Sequence, residues 1–253
     1  MIYTGIDIGS TCTKVVATDE QQDIIYKDLM PTGWDSVGTA TSIQETLQAE
    51  FPHKQMKCVA TGYGRVAVPY ADKTITEITC HGRGAVYLFG NDPSVVIDIG
   101  GQDTKIISLV GGKVKDFLMN DKCSAGTGRF LEIMANTLGV SLEGLCDLAA
   151  EGSGITISSM CTVFAESEVI SLIGKGTDKE DIAFGVVESI VYKVQAQAAR
   201  LIVPGEQVYL TGGLCDLPYI ISTLSEKVGS EVISSPLARY AGAIGASILA
   251  QNL

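Results

Sequence analysis

The sequence has few basic residues, few aromatic residues and only 2 histidines among its 253 residues. There are 18 Lys and Arg against 29 Asp and Glu, which gives a net charge of −11. A protein that binds a nucleic-acid backbone needs a basic face to neutralise the phosphates. The acidic balance therefore argues against a nucleic-acid partner.

The sequence also has no apolar run approaching the roughly 18 residues of a membrane-spanning helix. The opening segment Met1–Thr4 contains no basic residue of the kind that starts a secretory signal. We therefore expect a cytoplasmic protein with no membrane partner.

Paired cysteine motifs are missing as well. The 7 cysteines are an odd number spread over the whole chain, and no Cys-x-x-Cys spacing occurs. This pattern is not that of a secreted disulfide framework, nor of a self-contained zinc or ferredoxin site. Each cysteine is therefore interpreted as an individual thiol.

Hydrophobic residues make up 46% of the chain, which also has 28 glycines, and no low-complexity segment marks a linker. This composition predicts a compact, turn-rich α/β protein. Val- and Ile-rich runs predict strands at 2–8, 13–18, 57–61, 94–99, 104–110 and 207–211. Helical periodicity predicts helices at 39–50, 128–138, 164–173 and 181–202.

Two segments, Gly5–Lys14 and Val96–Lys105, are near copies of each other. Each has an apolar strand, then Asp-Ile-Gly, then three residues and Thr-Lys. Free N–H groups and hydroxyls in such a turn hold phosphate oxygens, and the strand-end Asp7 or Asp98 can reach a hydrated Mg²⁺. Two such turns facing each other would grip one triphosphate. The predicted phosphate-binding residues are Gly9, Ser10, Thr11, Cys12, Thr13 and Lys14 in the first copy, and Gly100, Gly101, Gln102 and Asp103 in the second.

Two more glycine-containing segments extend this pattern. Val208–Leu214 is a strand that runs into a Thr-Gly-Gly turn, where Gly212, Gly213 and Leu214 would lie against a base or ribose. Tyr240–Ala246 has small residues at helical spacing, which suits a tightly packed helix. Gln102 and Asp103 are also candidates, with Asp7 and Asp98, for the groups that position the hydrolytic water.

The order of these turns resembles the superfamily of acetate and sugar kinases, heat-shock ATPases and actin. The resemblance implies a two-lobed actin-like ATPase fold, built from a duplicated ribonuclease-H-like α/β unit, that binds ATP/ADP and Mg²⁺. The expected lobes are residues 1–70 with the C-terminal helix 237–253, and residues 71–236.

Two further segments, Asn120–Phe130 and Ser158–Glu168, each place a cysteine, Cys123 or Cys161, just ahead of an expected helix. A helix N-terminus lowers the pKa of a nearby thiol and favours its anion. Two thiolates make half of a four-cysteine cluster site, and a second copy of the chain would supply the other half. Spacing alone favours the interpretation that both are buried small hydrophobes.

These segments resemble the cluster-binding motifs of the 2-hydroxyacyl-CoA dehydratase activators, called archerases or component A. Their ATPase family includes the ATP-binding subunits of benzoyl-CoA reductase. Thr61–Arg65 and Glu77–Gly82 match further segments typical of that family. The resemblance implies a homodimer that holds one [4Fe–4S] cluster through Cys123 and Cys161.

The resemblance further implies that ATP drives a low-potential electron from this cluster to an Fe–S partner, by default a 2-hydroxyacyl-CoA dehydratase. A double-cubane or other low-potential Fe–S reductase is an alternative partner, and a ferredoxin or flavodoxin is the expected donor. A small-molecule kinase and a nucleotide-switched binding module of the same superfamily remain as rival functions, and neither needs iron. Cys12, Cys58, Cys146 and Cys215 are interpreted as packing residues, and Cys80 with His81 as too few ligands for a metal.

Overall fold

The computed structural model describes residues 1–158 and 161–253. Ser159 and Met160, which belong to the second cysteine segment, lie outside the described residues. The chain divides into two compact units, which we describe separately. Unit one comprises residues 1–93, 109–115 and 237–253, and unit two comprises residues 94–108 and 116–236. Among the described residues, no helix is both long and apolar enough to span a membrane.

A five-stranded sheet forms the centre of unit one. Its strands are β1 (Ile2–Ile8), β2 (Cys12–Thr18), β3 (Ile24–Pro31), β4 (Met56–Thr61) and β5 (Lys73–Thr74), in the order β3-β2-β1-β4-β5. Strand β1 runs antiparallel to β2 and parallel to β4. The predictions of β1, β2 and β4 are confirmed. Sequence analysis missed β3, an edge strand whose apolar run is interrupted by the adjacent charged residues Lys27 and Asp28.

The second sheet repeats the same plan. Its strands are β6 (Ser94–Ile99), β7 (Thr104–Val110), β8 (Lys113–Asn120), β9 (Gln207–Gly212) and β10 (Val232–Ile233), in the order β10-β9-β6-β7-β8. Strands β6 and β9 are parallel, and Asp98 lies opposite Thr211. In unit one Asp7 lies opposite Thr61 in the same way. The duplication found in the sequence therefore extends to the whole strand order.

The helices of unit one are α1 (Ser36–Glu50), α2 (Glu77–Phe89) and α8 (Ala241–Ala250). Helix α8 makes backbone contact with its neighbours, because a Cβ atom on Gly84 would collide with the carbonyl of Ala241 and one on Gly245 with that of Cys80. The expected close packing of the small-residue helix is thus observed. It also explains why α2 belongs to the same unit as α8.

The helices of unit two are α3 (Gly128–Leu138), α4 (Leu142–Glu151), α5 (Thr162–Gly174), α6 (Lys179–Ala198) and α7 (Pro218–Val228). Helix α6 buries an apolar stripe that includes Ile190, Val191 and Val194. The helical periodicity of the sequence predicted α3, α5 and α6, and these predictions are confirmed. Helix α6 ends at Ala198, before the expected residue 202. Helices α2, α4 and α7 were not predicted.

Candidate functional site

The first phosphate turn connects β1 to β2. The N–H of Gly9 donates to the carbonyl of Cys12 at 3.2 Å, and Ser10 and Thr11 at the tip are exposed. Cys12 is half-buried, as is Lys14, whereas Thr13 is fully buried. The turn therefore presents its tip to solvent while its second half anchors it in the sheet.

Thr32, which sequence analysis did not select, supports this turn from the end of β3. Its hydroxyl donates to the carbonyl of Gly9 at 2.8 Å and lies 2.9 Å from the hydroxyl of Thr13. Its N–H donates to the carbonyl of Thr11 at 2.9 Å. Three residues of the turn are thus held by one threonine, and no sequence signal marks it because the contacts depend on how β3 pairs with β2.

Asp7 ends β1 with a buried carboxylate, 2% exposed, whose Oδ1 makes no hydrogen bond. A Cβ on Gly62 would lie 2.5 Å from Oδ1, and one on Gly242 would lie 2.7 Å from Oδ2. These glycines leave room on both sides of the carboxylate. A buried carboxylate oxygen without a partner costs free energy unless a ligand satisfies it, and a hydrated Mg²⁺ fits that requirement.

The second phosphate turn has the same backbone hydrogen bond as the first, but its strand-end aspartate is paired with a buried lysine. The N–H of Gly100 donates to the carbonyl of Asp103 at 2.9 Å. The buried ammonium of Lys105 lies 3.2 Å from Asp98 Oδ2 and 2.7 Å from Asp103 Oδ1, and Thr211 donates to Asp98 Oδ1 at 2.7 Å. Gln102 is exposed. Both strand-end aspartates occupy equivalent positions, but Asp98 is ion-paired and Asp7 has an unsatisfied oxygen.

The Thr-Gly-Gly turn follows β9. Gly212 has φ +89°, a conformation that disfavours any side chain, and the N–H of Gly213 donates to the carbonyl of Ile99 at 2.9 Å. Leu214 is buried. Unit one contains the same arrangement, because Gly62 has φ +84° and the N–H of Gly64 donates to the carbonyl of Ile8 at 2.9 Å. The shared Thr-Gly dipeptide was the available signal for this second repeat.

The second phosphate turn is hydrogen-bonded directly to the start of α3. The N–H of Gly128 donates to the carbonyl of Gly100 at 2.8 Å, and that of Arg129 to the carbonyl of Gly101 at 2.9 Å. The buried hydroxyl of Thr127 lies 3.2 Å from the carbonyl of Gly101 and 2.8 Å from that of Ser124. The turn is therefore linked through α3 to the residue after Cys123.

Cys123 and Cys161 are exposed, whereas Cys58, Cys80, Cys146 and Cys215 are buried and Cys12 is half-buried. The hydroxyls of Ser124 and Thr162, the residues that follow the two exposed cysteines, are 2.9 Å apart. Cys161 is the N-cap of α5, and Cys123 precedes α3 by a short turn in which Asn120 Nδ2 donates to the Cys123 carbonyl at 2.8 Å. Two accessible thiols on adjoining segments fit the soft ligand set of an Fe–S cluster.

The buried thiols have different properties. Burial raises the pKa of Cys58 and of Cys146 to about 11, and that of Cys80 to about 12. A buried thiol that stays protonated is a poor metal ligand and a poor nucleophile. This supports the interpretation of these three cysteines as packing residues.

Comparison with known proteins bears on the whole chain. Residues 4–250 match the model of the BadF/BadG/BcrA/BcrD ATPase family. The (R)-2-hydroxyglutaryl-CoA dehydratase activating ATPase of Acidaminococcus fermentans is 44% identical over 98% of this chain and 97% of its own length.

Solved structures agree with this result. The crystal structure of the A. fermentans component A superposes with a TM-score of 0.91 at 42% identity, over 100% of this chain and 98% of that one. The activator of the 2-hydroxyisocaproyl-CoA dehydratase from Clostridium difficile, with bound ADPNP, gives a TM-score of 0.91 at 36% identity, over 100% and 95% of the two chains. The two-lobed actin-like ATPase fold is thereby confirmed.

Proposed function

Because the chain belongs to the BadF/BadG/BcrA/BcrD ATPase family, we propose that it is an activator that uses ATP to deliver a low-potential electron to an Fe–S enzyme. Cys123 and Cys161 would hold a [4Fe–4S] cluster jointly with the same residues of a second copy. The single observation that carries the proposal is the placement of the two exposed thiols. The residues that follow them, Ser124 and Thr162, are hydrogen-bonded to each other, so the two cysteine segments adjoin.

The proposed nucleotide-binding residues are those of the phosphate turns and of the Thr-Gly-Gly turn. In this proposal the tips at Gly9–Lys14 and Gly100–Asp103 hold the phosphates, and Gly212, Gly213 and Leu214 lie beside the adenosine. Asp7 would hold the hydrated Mg²⁺ through its unsatisfied oxygen, and the ion would neutralise charge that develops on the phosphates. Asp98, Gln102 and Asp103 would position the attacking water, with Lys105 holding the two aspartates in place.

The surface of α5 supports the homodimer. Val163, Phe164, Ile170 and Ile173 are large apolar residues of this helix with 45–68% of their surface exposed. Clustered exposed apolar residues mark association surfaces, and this cluster begins two residues after Cys161. A second copy that completed the cluster would cover it.

The proposed partner is a 2-hydroxyacyl-CoA dehydratase, because the relatives named above are activators of such enzymes. Another low-potential Fe–S reductase is the alternative, and the electron would come from a ferredoxin or flavodoxin. Family membership makes the chain an ATPase in either case.

The test is anaerobic purification followed by iron and sulfide analysis, with the mass of the particle measured in solution. We expect a brown homodimer with about four irons that reduces an Fe–S acceptor only while it hydrolyses ATP. A colourless monomer that phosphorylates a small molecule would overturn the proposal in favour of a kinase. ATP turnover without electron delivery would favour a nucleotide-switched binding module.

A further inference from the structure

Lys193 of α6 lies against the segment that carries Cys123. Its ammonium is 5.2 Å from the ring centroid of Phe130, in the first turn of α3. Its Cβ is 3.5 Å from the position that a Cβ on Gly126 would occupy. Gly126 and Phe130 both belong to the loop and helix start that follow Cys123, so the long side chain of Lys193 runs along this segment.

The second cysteine adjoins the same region, because Ser124 is hydrogen-bonded to Thr162 at the start of α5. Burial lowers the pKa of Lys193, while the negative charge of the Cys123 and Cys161 thiolates acts in the opposite direction. The positive charge of Lys193 therefore lies within electrostatic reach of both thiols. By contrast, the side chain of Lys122, the residue directly before Cys123, is 89% exposed and its ammonium lies 3.8 Å from the carboxylate of Asp121. Solvent therefore screens the charge of Lys122.

We propose that Lys193 is a tuning residue for the electron-transfer site, and that its positive charge raises the reduction potential of the cluster held by Cys123 and Cys161. This inference rests on the proposed function. When a ferredoxin or flavodoxin gives one electron, the cluster gains one negative charge and no bond is made or broken. A half-buried cation beside the thiolates stabilises that extra charge more strongly than an exposed one.

A higher reduction potential would make it easier for the ferredoxin or flavodoxin to reduce the cluster before ATP acts. The Phe130 ring keeps the ammonium in place, since a cation over an aromatic face is attracted to it. Neither the hydrophobic pattern of α6 nor the cysteine segments marks Lys193 in the sequence. The packing of α6 on the α3 segment brings it against the residues that follow Cys123.

The experiment compares the purified dimer with Lys193→Met, Lys193→Gln and Lys193→Arg variants, and with Lys122→Met as the matched control. The reduction potential is measured by an EPR-monitored redox titration, together with iron content and ADP affinity. We expect Met and Gln to shift the one-electron equilibrium about tenfold toward the oxidised cluster, which is about 59 mV. Arg and the Lys122 control should stay near the wild-type potential, and the shift should persist at high salt.

The outcomes separate the two claims. If wild-type protein holds iron and the Met and Gln variants with full iron content keep its potential, the inference about Lys193 is wrong while the proposed function stands. If Lys122→Met shifts the potential as much as Lys193→Met, surface charge in general is responsible and the inference is again overturned. If wild-type protein holds no cluster, both claims fail together.

Discussion

Arg129 donates its backbone N–H to the carbonyl of Gly101 at 2.9 Å, which joins the helix after Cys123 to the second phosphate turn. A movement of that turn must therefore move the start of α3. Through Thr127 and Ser124 the same displacement reaches Thr162 and the start of α5. Hydrogen bonds within unit two therefore connect the second phosphate turn to the surroundings of the cysteine pair.

The first prediction follows from this link. Reduced protein with MgATP should differ from reduced protein with MgADP in its cluster EPR spectrum or in the rate at which a chelator removes iron, with faster removal in the ATP form. Thr127→Val removes the hydroxyl near Gly101 and Ser124 and should diminish the difference, whereas Thr127→Ser should preserve it. Identical spectra and rates in the two wild-type states would mean that hydrolysis and electron transfer are uncoupled.

The two strand-end aspartates should respond differently to the same substitution. Asp7→Asn and Asp98→Asn should both lower ATP turnover more than ATP affinity, because in the proposed function each acts on the reacting phosphate or water. Only Asp98→Asn removes a partner of the buried Lys105, which should cost about 3 kcal/mol of unfolding free energy. Phosphate release, calorimetry and urea unfolding measure the three quantities. Wild-type hydrolysis in both variants would show that the turns are only architectural.

Iron retention should depend on both exposed thiols. Cys123→Ser and Cys161→Ser should each lose the cluster, because these are the two exposed cysteines in the part of the chain that the structure describes and a cluster shared by two chains then has too few thiolates. Cys146→Ser is the matched control, since this thiol lies on the buried face of α4. Iron per dimer and particle mass are the measurements. Retention of about four irons in either variant would contradict the bridging cluster.

Thr32 should matter for nucleotide binding although it lies outside the turn. Thr32→Val removes the hydroxyl that bonds to Gly9 and Thr13, and we expect the loosened turn to lower ADP affinity about tenfold, which is about 1.4 kcal/mol. Thr32→Ser should restore it. Thr46→Val is the control, because that hydroxyl bonds only within α1. Calorimetry that finds equal affinities in wild type and Thr32→Val would exclude a role for Thr32 in shaping the turn.

The small residues of α8 should be essential for stability. Gly245→Ala would place a methyl group against the carbonyl of Cys80, and we expect it to lower the unfolding free energy by about 3 kcal/mol through overpacking. Gly174→Ala, at the end of α5, meets no atom within 4 Å and should be neutral or stabilising. Denaturant midpoints compare the two. Equal midpoints would show that α8 can move away from α2 at no cost.

The sequence alone located the elements whose signals are local. The copies at Asp7 and Asp98 predicted the two phosphate turns, and runs of buried Val and Ile predicted β1, β4, β6 and β9. The edge strand β3 escaped because Lys27 and Asp28 interrupt its apolar run and Pro31 ends it, although its residues alternate between half-buried and exposed in the structure. Helix α2 escaped because Gly82 and Gly84 interrupt its periodicity, and Gly84 makes a close contact with α8 that no local pattern records.

The same division holds for the site. Local sequence was enough to select Asp7, Asp98, Cys123 and Cys161, because each lies in a repeated or recognisable segment. Tertiary structure decided that Asp98 is paired with Lys105 while Asp7 keeps an unsatisfied oxygen. Tertiary structure also placed Thr32 against Gly9 of the first phosphate turn and Lys193 against Phe130 of α3. Strand pairing and helix packing set these contacts, and both join residues that are distant along the chain, so no window of sequence contains them.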